Sequence, residues 1–539
     1  MITDMAEAGA GYIQVISGRG VAQPGSDLFA LLESLLPVKF GDGVEQHENV
    51  GGELLSLEQA HSARHGVSSL SVATSQTKSA DSAAYGIKAR FEDVMEVPFP
   101  FRGRSVESKV HAEYQPLTLL SGEKVMATGE AGPWWTVREQ DGVRHYRSAL
   151  ELPFVPGGGV LHEAFNEFQF LAMVPLIHWL REIGNEIVFR PPPLRACYIF
   201  DDPNLHWPTY GRVKYREIAA HAERENYHVS FATVPLDVWY THSGTAEIFR
   251  QNSRRLSLTV HGNNHTRYEL AQKYTNDERL ALLSQANQRI KKLERRTGLS
   301  VSRVMIPPHG ACSDQMLAVL PLQGFDGACI SSGSLRFHNR GQAWTRTVGF
   351  SPSEVIHGCP VMPRWGLKGP TENILLLAAF LGQPLILRGH HQDLKEGLEV
   401  LDKAARFING LGRVFWSNLS DIMRVNYEWR VQGEVCHVRP RSREVTVSVP
   451  DRVNRVIVDS PSDIMDGNWK LDAVQGNGTT RSGQFAEWAG FNSNIQRISL
   501  NSTFGNPMGE NRGTSPPPVA LVRRILMEGR DRLVGLGRF

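Results

Sequence analysis

Cysteine is scarce in this chain. Only Cys197, Cys312, Cys329, Cys359 and Cys436 occur among 539 residues, an odd set without CxxC spacing, which argues against a disulfide framework and against a thiolate zinc site and favours a reducing compartment. An excess of charge is missing as well. With 58 basic against 56 acidic residues, no global field holds nucleic acid or an anionic membrane. Long apolar runs are absent: "FQFLAMVPLIHWL" and "NILLLAAFLGQPLIL" are broken by Pro, His or Gln and are too short to span a bilayer. The opening "MITDMAEAGAGYIQV" has neither the basic nor the apolar region of an export signal. A cytoplasmic protein without a membrane span is expected, with no nucleic acid partner; oligomeric state is not legible.

What is present is core-forming material: 41% of the residues are hydrophobic, in a chain long enough for two or three domains. Residues 1–188 are mixed: a helical "LFALLESLL", a hairpin signal at the "DG" of "WWTVREQDGVRHYRS", and an amphipathic helix in "HEAFNEFQFLAMVPLIHWLREIG". The prolines of "RPPPLR" mark a boundary. Residues 189–428 then alternate strand with helix. The strands are "RACYIF", "HVSFATV", "LSLTV", "SRVMI", "FDGACIS", "PLILR" and "RVFWS", with helices such as "YREIAAHAERE" and "NDERLALLSQANQRIKKLERR" between them. This is the α/β class, a parallel sheet rolled into a complete or truncated (β/α) barrel, with chemistry expected at the strands' C-terminal ends. Residues 429–539 alternate with a period of two and read as a small β-rich accessory domain, followed by a flexible Gly/Pro-rich tail with a short basic amphipathic end.

The polar residues of the middle segment fall at those ends. Asp201 and Asp202 close the first strand, "HGNNH" (His261 to His265) the third, "PPHG" (Pro307 to Gly310) the fourth and "RGHH" (Arg388 to His391) a late one. An i,i+4 histidine pair alone more often packs a core or lies on a surface. If the pair occupies one helical turn, both rings face one side, and a carboxylate completes a three-ligand site with open positions for water and substrate. Nitrogen and oxygen ligands suit a divalent ion, zinc first, with cobalt, nickel or manganese as alternatives. Trp207 and Tyr210, after the acidic pair, could stack on a sugar ring or pack the rim. Trp365 beside Arg364 could close the pocket.

In that order, "FDD", "HGNNH", "PPHG" and a late strand ending in histidine resemble the motifs of the NodB-like polysaccharide deacetylases, carbohydrate esterase family four, over about residues 195 to 425. The resemblance implies Asp201 as general base, Asp202 with His261 and His265 as metal ligands, the His309 backbone N–H as oxyanion donor, and His390 or His391 as the acid for the leaving amine. His390 has the better spacing from Leu387. Two departures stand out. Ile306 replaces the family's arginine that orients the base, a cation that Arg364 or Arg388 could supply from another loop, and His309 replaces a common aromatic residue. The segment "GEKVMATGEAGPWWTVREQDGVRHYRS" is similar to the end of a glutamine-amidotransferase α/β domain but offers no nucleophile in a suitable turn.

The function implied is a metal-dependent hydrolase that removes an acyl group, N-acetyl first, from a small amino sugar or glycan. The alternatives are hydrolysis of a non-sugar C–N bond on the same metal site and a catalytically silent carbohydrate-binding barrel, which the Ile306 departure keeps open.

Overall fold

A computed structural model describes residues 13–17, 20–21, 68–72, 85–459 with short breaks, 469–473, 485–489, 495–502 and 518–535. The chain divides into two compact units, residues 1–188 with 344–350 and 371–380, and the remainder. The helical "LFALLESLL" lies outside the described residues.

The first unit is built on one sheet of eight strands: β1 (Ile13–Ser17), β2 (Gly20–Val21), β3 (Ser68–Val72), β4 (Tyr85–Phe91), β5 (Ser105–Val110), β6 (Lys124–Gly129), β7 (Gly132–Gln140) and β8 (Val143–Ser148), in the order β2-β1-β3-β8-β7-β6-β4-β5. The hairpin signal is realised as β7 and β8, antiparallel with Gln140 opposite Val143. The apolar stripe of α1 (Phe170–Ile183) and the helix Glu372–Phe380 belong to the same unit, where the buried Phe101 ring meets both Phe170 and Phe380.

The second unit carries the strand and helix alternation. Its central sheet contains β9 (Arg195–Asp201), β12 (Val229–Thr233), β13 (Leu256–His261), β14 (Val301–Ile306), β15 (Gly327–Cys329), β16 (Glu354–Ile356), β17 (Cys359–Met362), β18 (Trp365–Gly366), β19 (Leu385–Gly389) and β20 (Phe415–Trp416); a small hairpin, β10 (Thr209–Tyr210) and β11 (Val213–Lys214), stands apart. The order is β16-β17-β15-β14-β13-β12-β9-β19-β18, with β20 on β9, parallel throughout except at β16 and β17. Every residue of β9 is buried, as a central strand with both faces covered requires. Of the two barrel forms expected, the sheet takes the truncated one: it curls but pairs neither edge to the other among the described residues. Only Pro363 and Arg364 separate β17 from β18, which lie near opposite ends of the strand order. The chain itself therefore crosses the gap.

Helices α2 (Tyr215–Glu225), α3 (Ser243–Gln251), α4 (Asn276–Thr297), α5 (Asp314–Val319), α6 (Ser332–His338), α7 (Glu399–Asn409) and α8 (Leu419–Arg424) connect the strands. α4 begins where its capping signal places it, with Thr275 and Glu278 satisfying each other's backbone N–H groups, and ends at Gly298 in the left-handed region. The β-rich segment is present as a four-stranded and a three-stranded sheet sharing one core of Cys436, Val438, Val445, Val447, Val456 and Val458, and it belongs to the same compact unit as the curled sheet.

The chain's amphipathic end forms α9 (Pro518–Gly535), and its charged face turns inward. Glu528 pairs with His206 at 2.8 Å, Asp531 accepts from the Tyr210 hydroxyl at 2.8 Å, and Arg524 reaches Asp202 and Asp237. Apolar contact adds little: Ala520 joins Val234 and Leu236 in a small cluster, while Val519, Val522, Ile525 and Leu526 are exposed.

Two expectations follow. Phe231 is fully buried among Phe200, Tyr215 and Phe249, so Phe231→Ala should cost about 3–5 kcal/mol in denaturant unfolding, whereas Phe337→Ala, at an exposed position, should leave stability nearly unchanged. The second concerns α9. Burial disfavours charge on both His206 and Glu528, yet their mutual bond prevails, raising the His206 pKa above 6.5 and lowering that of Glu528 to about 2. The Glu528 contribution is complete above its ordinary 4.5 and lost as pH falls toward about 2; the His206 contribution is complete below 6.5 and lost as pH rises through its raised value. Amide protection in α9 should therefore peak between about pH 4.5 and 6.5 and fall on both sides, and a flat profile would contradict this anchoring.

Candidate active site

The two carboxylates diverge through a backbone turn. Asp201 ends β9 in extended conformation, but Asp202 has φ of +83°, in the left-handed region costly for a non-glycine residue. The change of direction, rather than strand alternation alone, lets both side chains serve one site.

Asp201 is buried, and Arg364 approaches both of its oxygens at 3.2 Å. Burial works against its charge; Arg364 first, then His261, His390 and Arg388, outweigh burial and hold the carboxyl below its ordinary range. The cation beside Asp201 comes from the two-residue link across the sheet's gap. Arg388 turns elsewhere and donates to His390 Nε2 at 3.2 Å. Arginine is donor only, so this bond makes Nε2 the acceptor and leaves the proton of a neutral ring on Nδ1.

His261 and His265 meet as expected, but not on a helical turn. His261 is the last residue of β13, and His265 lies in the following loop with φ of +56°. That loop is shaped by Glu269, which accepts the backbone N–H groups of Asn263, Asn264 and His265 at 2.8, 2.7 and 3.2 Å. Arg289 on α4 adds bonds to the Asn263 and Asn264 side-chain oxygens at 2.6 and 2.8 Å. Gly262, with φ of +60°, is required, since a Cβ there would stand 2.5 Å from a Glu269 oxygen and 2.6 Å from the Pro308 ring. Burial raises the Glu269 pKa despite its three N–H donors. Sequence reading passed over Glu269, although an acidic residue four positions after a histidine loop is a recognisable source of such bonds.

The donor atoms of Asp202, His261 and His265 all lie within 4.8 Å of one another. Asp202 Oδ1 is 3.0 Å from His265 Nε2 and 3.7 Å from His261 Nε2. The His261 Nδ1–H donates to the Ile306 carbonyl at 2.8 Å, which fixes the tautomer and turns the Nε2 lone pair toward Asp202. Burial pushes the His261 pKa down to about 4, so the ring is neutral and able to ligate over most of the pH range. Burial also works against Asp202, yet the His265 hydrogen bond, the two histidines and Arg524 hold it well below the usual carboxylate range. Two imidazoles and one anionic oxygen fit a divalent ion of the zinc type; His261 is oriented by the Ile306 carbonyl and Asp202 by Arg524, while His265 Nδ1 is buried without a hydrogen-bond partner.

The remaining predicted residues are distributed around this centre. His390, partly exposed, places Nδ1 3.9 Å from Asp202 Oδ2. His391 is buried with Nε2 3.3 Å from Asp531 of α9 and packs on Gly211. His309 has φ of +60° and stacks edge-on to His265 at 5.2 Å; burial, then the neighbouring His265, lower its pKa. Pro308 has no N–H, so the His309 amide is the first donor after the prolines of the turn. Tyr210 is buried with its hydroxyl on Asp531, which removes it from sugar stacking. Trp207 is 53% exposed, with Arg532 over its face at 5.4 Å. Trp365, half-buried, sits on the edge strand opposite Leu387. Arg524, Asp237 and Asp531 were not flagged by the sequence; Arg524 stands 322 positions from the carboxylate it touches.

No family model matches the chain, and no curated protein does. No described helix is long and apolar enough to cross a membrane. Among solved structures the chain is similar to Agd3, a novel carbohydrate deacetylase, at 11% identity over 80% of this chain and 85% of that one, with a TM-score of 0.42. It is also similar to a family 4 carbohydrate esterase from Streptomyces lividans in complex with acetate (11% identity, 43% and 94% covered, TM-score 0.27) and to a CE4 family pseudoenzyme from Bacillus anthracis (14%, 42% and 64%, 0.26). These neighbours are carbohydrate deacetylase and family 4 esterase structures, the group whose motif order the sequence resembles, at low identity.

Proposed function

We propose that the chain is a metal-dependent amide hydrolase that removes an acyl group, N-acetyl first, from an amino-sugar-containing substrate. The observation that carries this reading is the juxtaposition of two differently partnered carboxylates: Asp201 clamped by Arg364, and Asp202 facing two histidines. The first pairing keeps a base ionised; the second suits a metal.

Asp202, His261 and His265 would hold the ion. When bound, it lowers the pKa of a coordinated water toward about 7 and polarises the acyl oxygen. Asp201, kept anionic by Arg364, takes the proton of the attacking water. The His309 backbone N–H donates to the oxygen that becomes negative as the acyl carbon turns tetrahedral. His390, as the imidazolium, delivers its Nε2 proton to the departing amine and returns to the neutral ring whose Nε2 accepts from Arg388. Trp207 and Trp365 remain the candidates for contact with a sugar face, and Tyr210 drops out. A cytoplasmic address would favour a small glycoside, nucleotide sugar or lipid-linked precursor over an extracellular polymer.

Elemental analysis of the purified protein tests the reading. Near-stoichiometric zinc or a related divalent ion is expected in wild type and should disappear in His261→Ala and Asp202→Ala, with acetate released from N-acetylated sugars by wild type alone. Absence of any ion after dialysis against zinc would favour a silent binding barrel. Asp201→Asn should retain the ion while kcat falls by about 10²–10⁴.

Arg364→Met should move the acid limb of the kcat/KM profile to higher pH, because burial of Asp201 is then unopposed by its largest positive partner and the base protonates earlier. An unmoved limb would show that Asp201 is not the group whose ionisation limits the rate.

A further inference from the structure

We propose that Arg524, on the C-terminal helix α9, is a positioning residue of the metal centre: it holds the ligand carboxylate Asp202 in place, so the site is assembled from both ends of the second unit. The inference rests on reading Asp202 as a ligand and extends the site to a residue that the resemblance does not supply.

The side chain of Arg524 is 4% exposed. One terminal nitrogen donates to Asp202 Oδ1 at 3.3 Å, and the other donates to the Asp202 backbone carbonyl at 3.3 Å. Two further donors are taken by Asp237, through Nε at 3.2 Å and through the second terminal nitrogen. The guanidinium therefore grips both the side chain and the main chain of the one residue that the strand end bends to φ of +83°. Such a conformation persists only when its surroundings hold it.

Charge decides the direction of the effect. A lone buried cation touching a ligand oxygen would repel a divalent ion. Here Asp237, buried in the turn after β12, neutralises the guanidinium, so the Asp202 charge remains available. A carboxylate oxygen offers two acceptor directions, and Oδ1 can accept from Arg524 while it faces His261 and His265. His261 has the Ile306 carbonyl behind it, and Arg524 is the corresponding support for the carboxylate. Loss of such an outer partner typically costs about 10–100-fold in metal affinity. Two independent anchors, Glu528 on His206 and Asp531 on Tyr210, keep α9 in register so that Arg524 arrives at this point.

The test is zinc affinity of the full chain, measured by competition with a chromophoric chelator for wild type, Arg524→Lys, Arg524→Met and Glu528→Gln. Arg524→Met should weaken binding by about 10–100-fold, Arg524→Lys should fall between it and wild type, and Glu528→Gln, which loosens the helix without touching Asp202, should stay close to wild type. By reciprocity, zinc should slow amide exchange across Pro518–Gly535 in wild type and not in Arg524→Met. Equal affinity in all four proteins overturns the proposal, as does tighter binding by Arg524→Met, which would make the guanidinium a competitor of the ion. If Glu528→Gln loses as much as Arg524→Met, helix docking alone is responsible and the positioning role fails. A wild type that takes up no zinc removes the metal reading itself, and this inference with it.

Discussion

Two adjacent carboxylates at the end of a fully buried strand must each find positive charge, and the sources of that charge organise the rest of the site. A buried anion without a partner would take up a proton instead. Asp201 and Asp202 avoid this by facing different partners. Arg364 serves the first from the short link that crosses the open side of the curled sheet; the histidine pair and Arg524 serve the second from a loop and from the chain's last helix. A sheet left open at one side is thus not a defect of closure. The gap is where a two-residue crossing brings Arg364 to Asp201.

The framework of this arrangement was legible because its signals are local. Each strand named from the sequence between Arg195 and Trp416 is present, and the longest helix between them, α4, begins at a capping box and ends at a left-handed glycine. Hydrophobic period, caps and turn residues all act within a few positions, so one sequence can display them. The three short strands from Glu354 to Gly366 were not named: they are two to four residues long and stand in no longer apolar run flanked by helices, unlike β15 and β20. They are also the ones that bring Arg364 to Asp201.

Within the site, legibility stopped at the reach of a motif. Asp201, Asp202, His261 and His265 were named because strand ends and their spacing mark them. The geometry between them was not: the histidines share a loop braced by Glu269 rather than a helical turn, and three residues, Asp202, His265 and His309, adopt left-handed backbone that no pattern of side chains announces. Tyr210 and His391 were placed in the site by chain proximity and turn out to face Asp531, since neighbours of a functional residue on a turn can point to opposite sides of it.

The last helix reverses the usual inference from amphipathicity. An apolar stripe ordinarily predicts the buried face, yet in α9 the stripe of Val519, Val522, Ile525 and Leu526 is exposed and the line Ala520, Arg524, Glu528, Asp531 is turned inward. Hydrophobic burial contributes little on that inner face, so specific charge pairing with Asp202, Asp237, His206 and Tyr210 fixes the helix. These four partners come from the segments that follow β9 and β12, which carry the acidic pair and shape its rim, and His391 after β19 adds a contact to Asp531. The helix is therefore matched to the chemistry of the strand ends rather than to a greasy surface. That match explains why a residue 322 positions away can be part of the site while nothing in its own neighbourhood of the sequence says so.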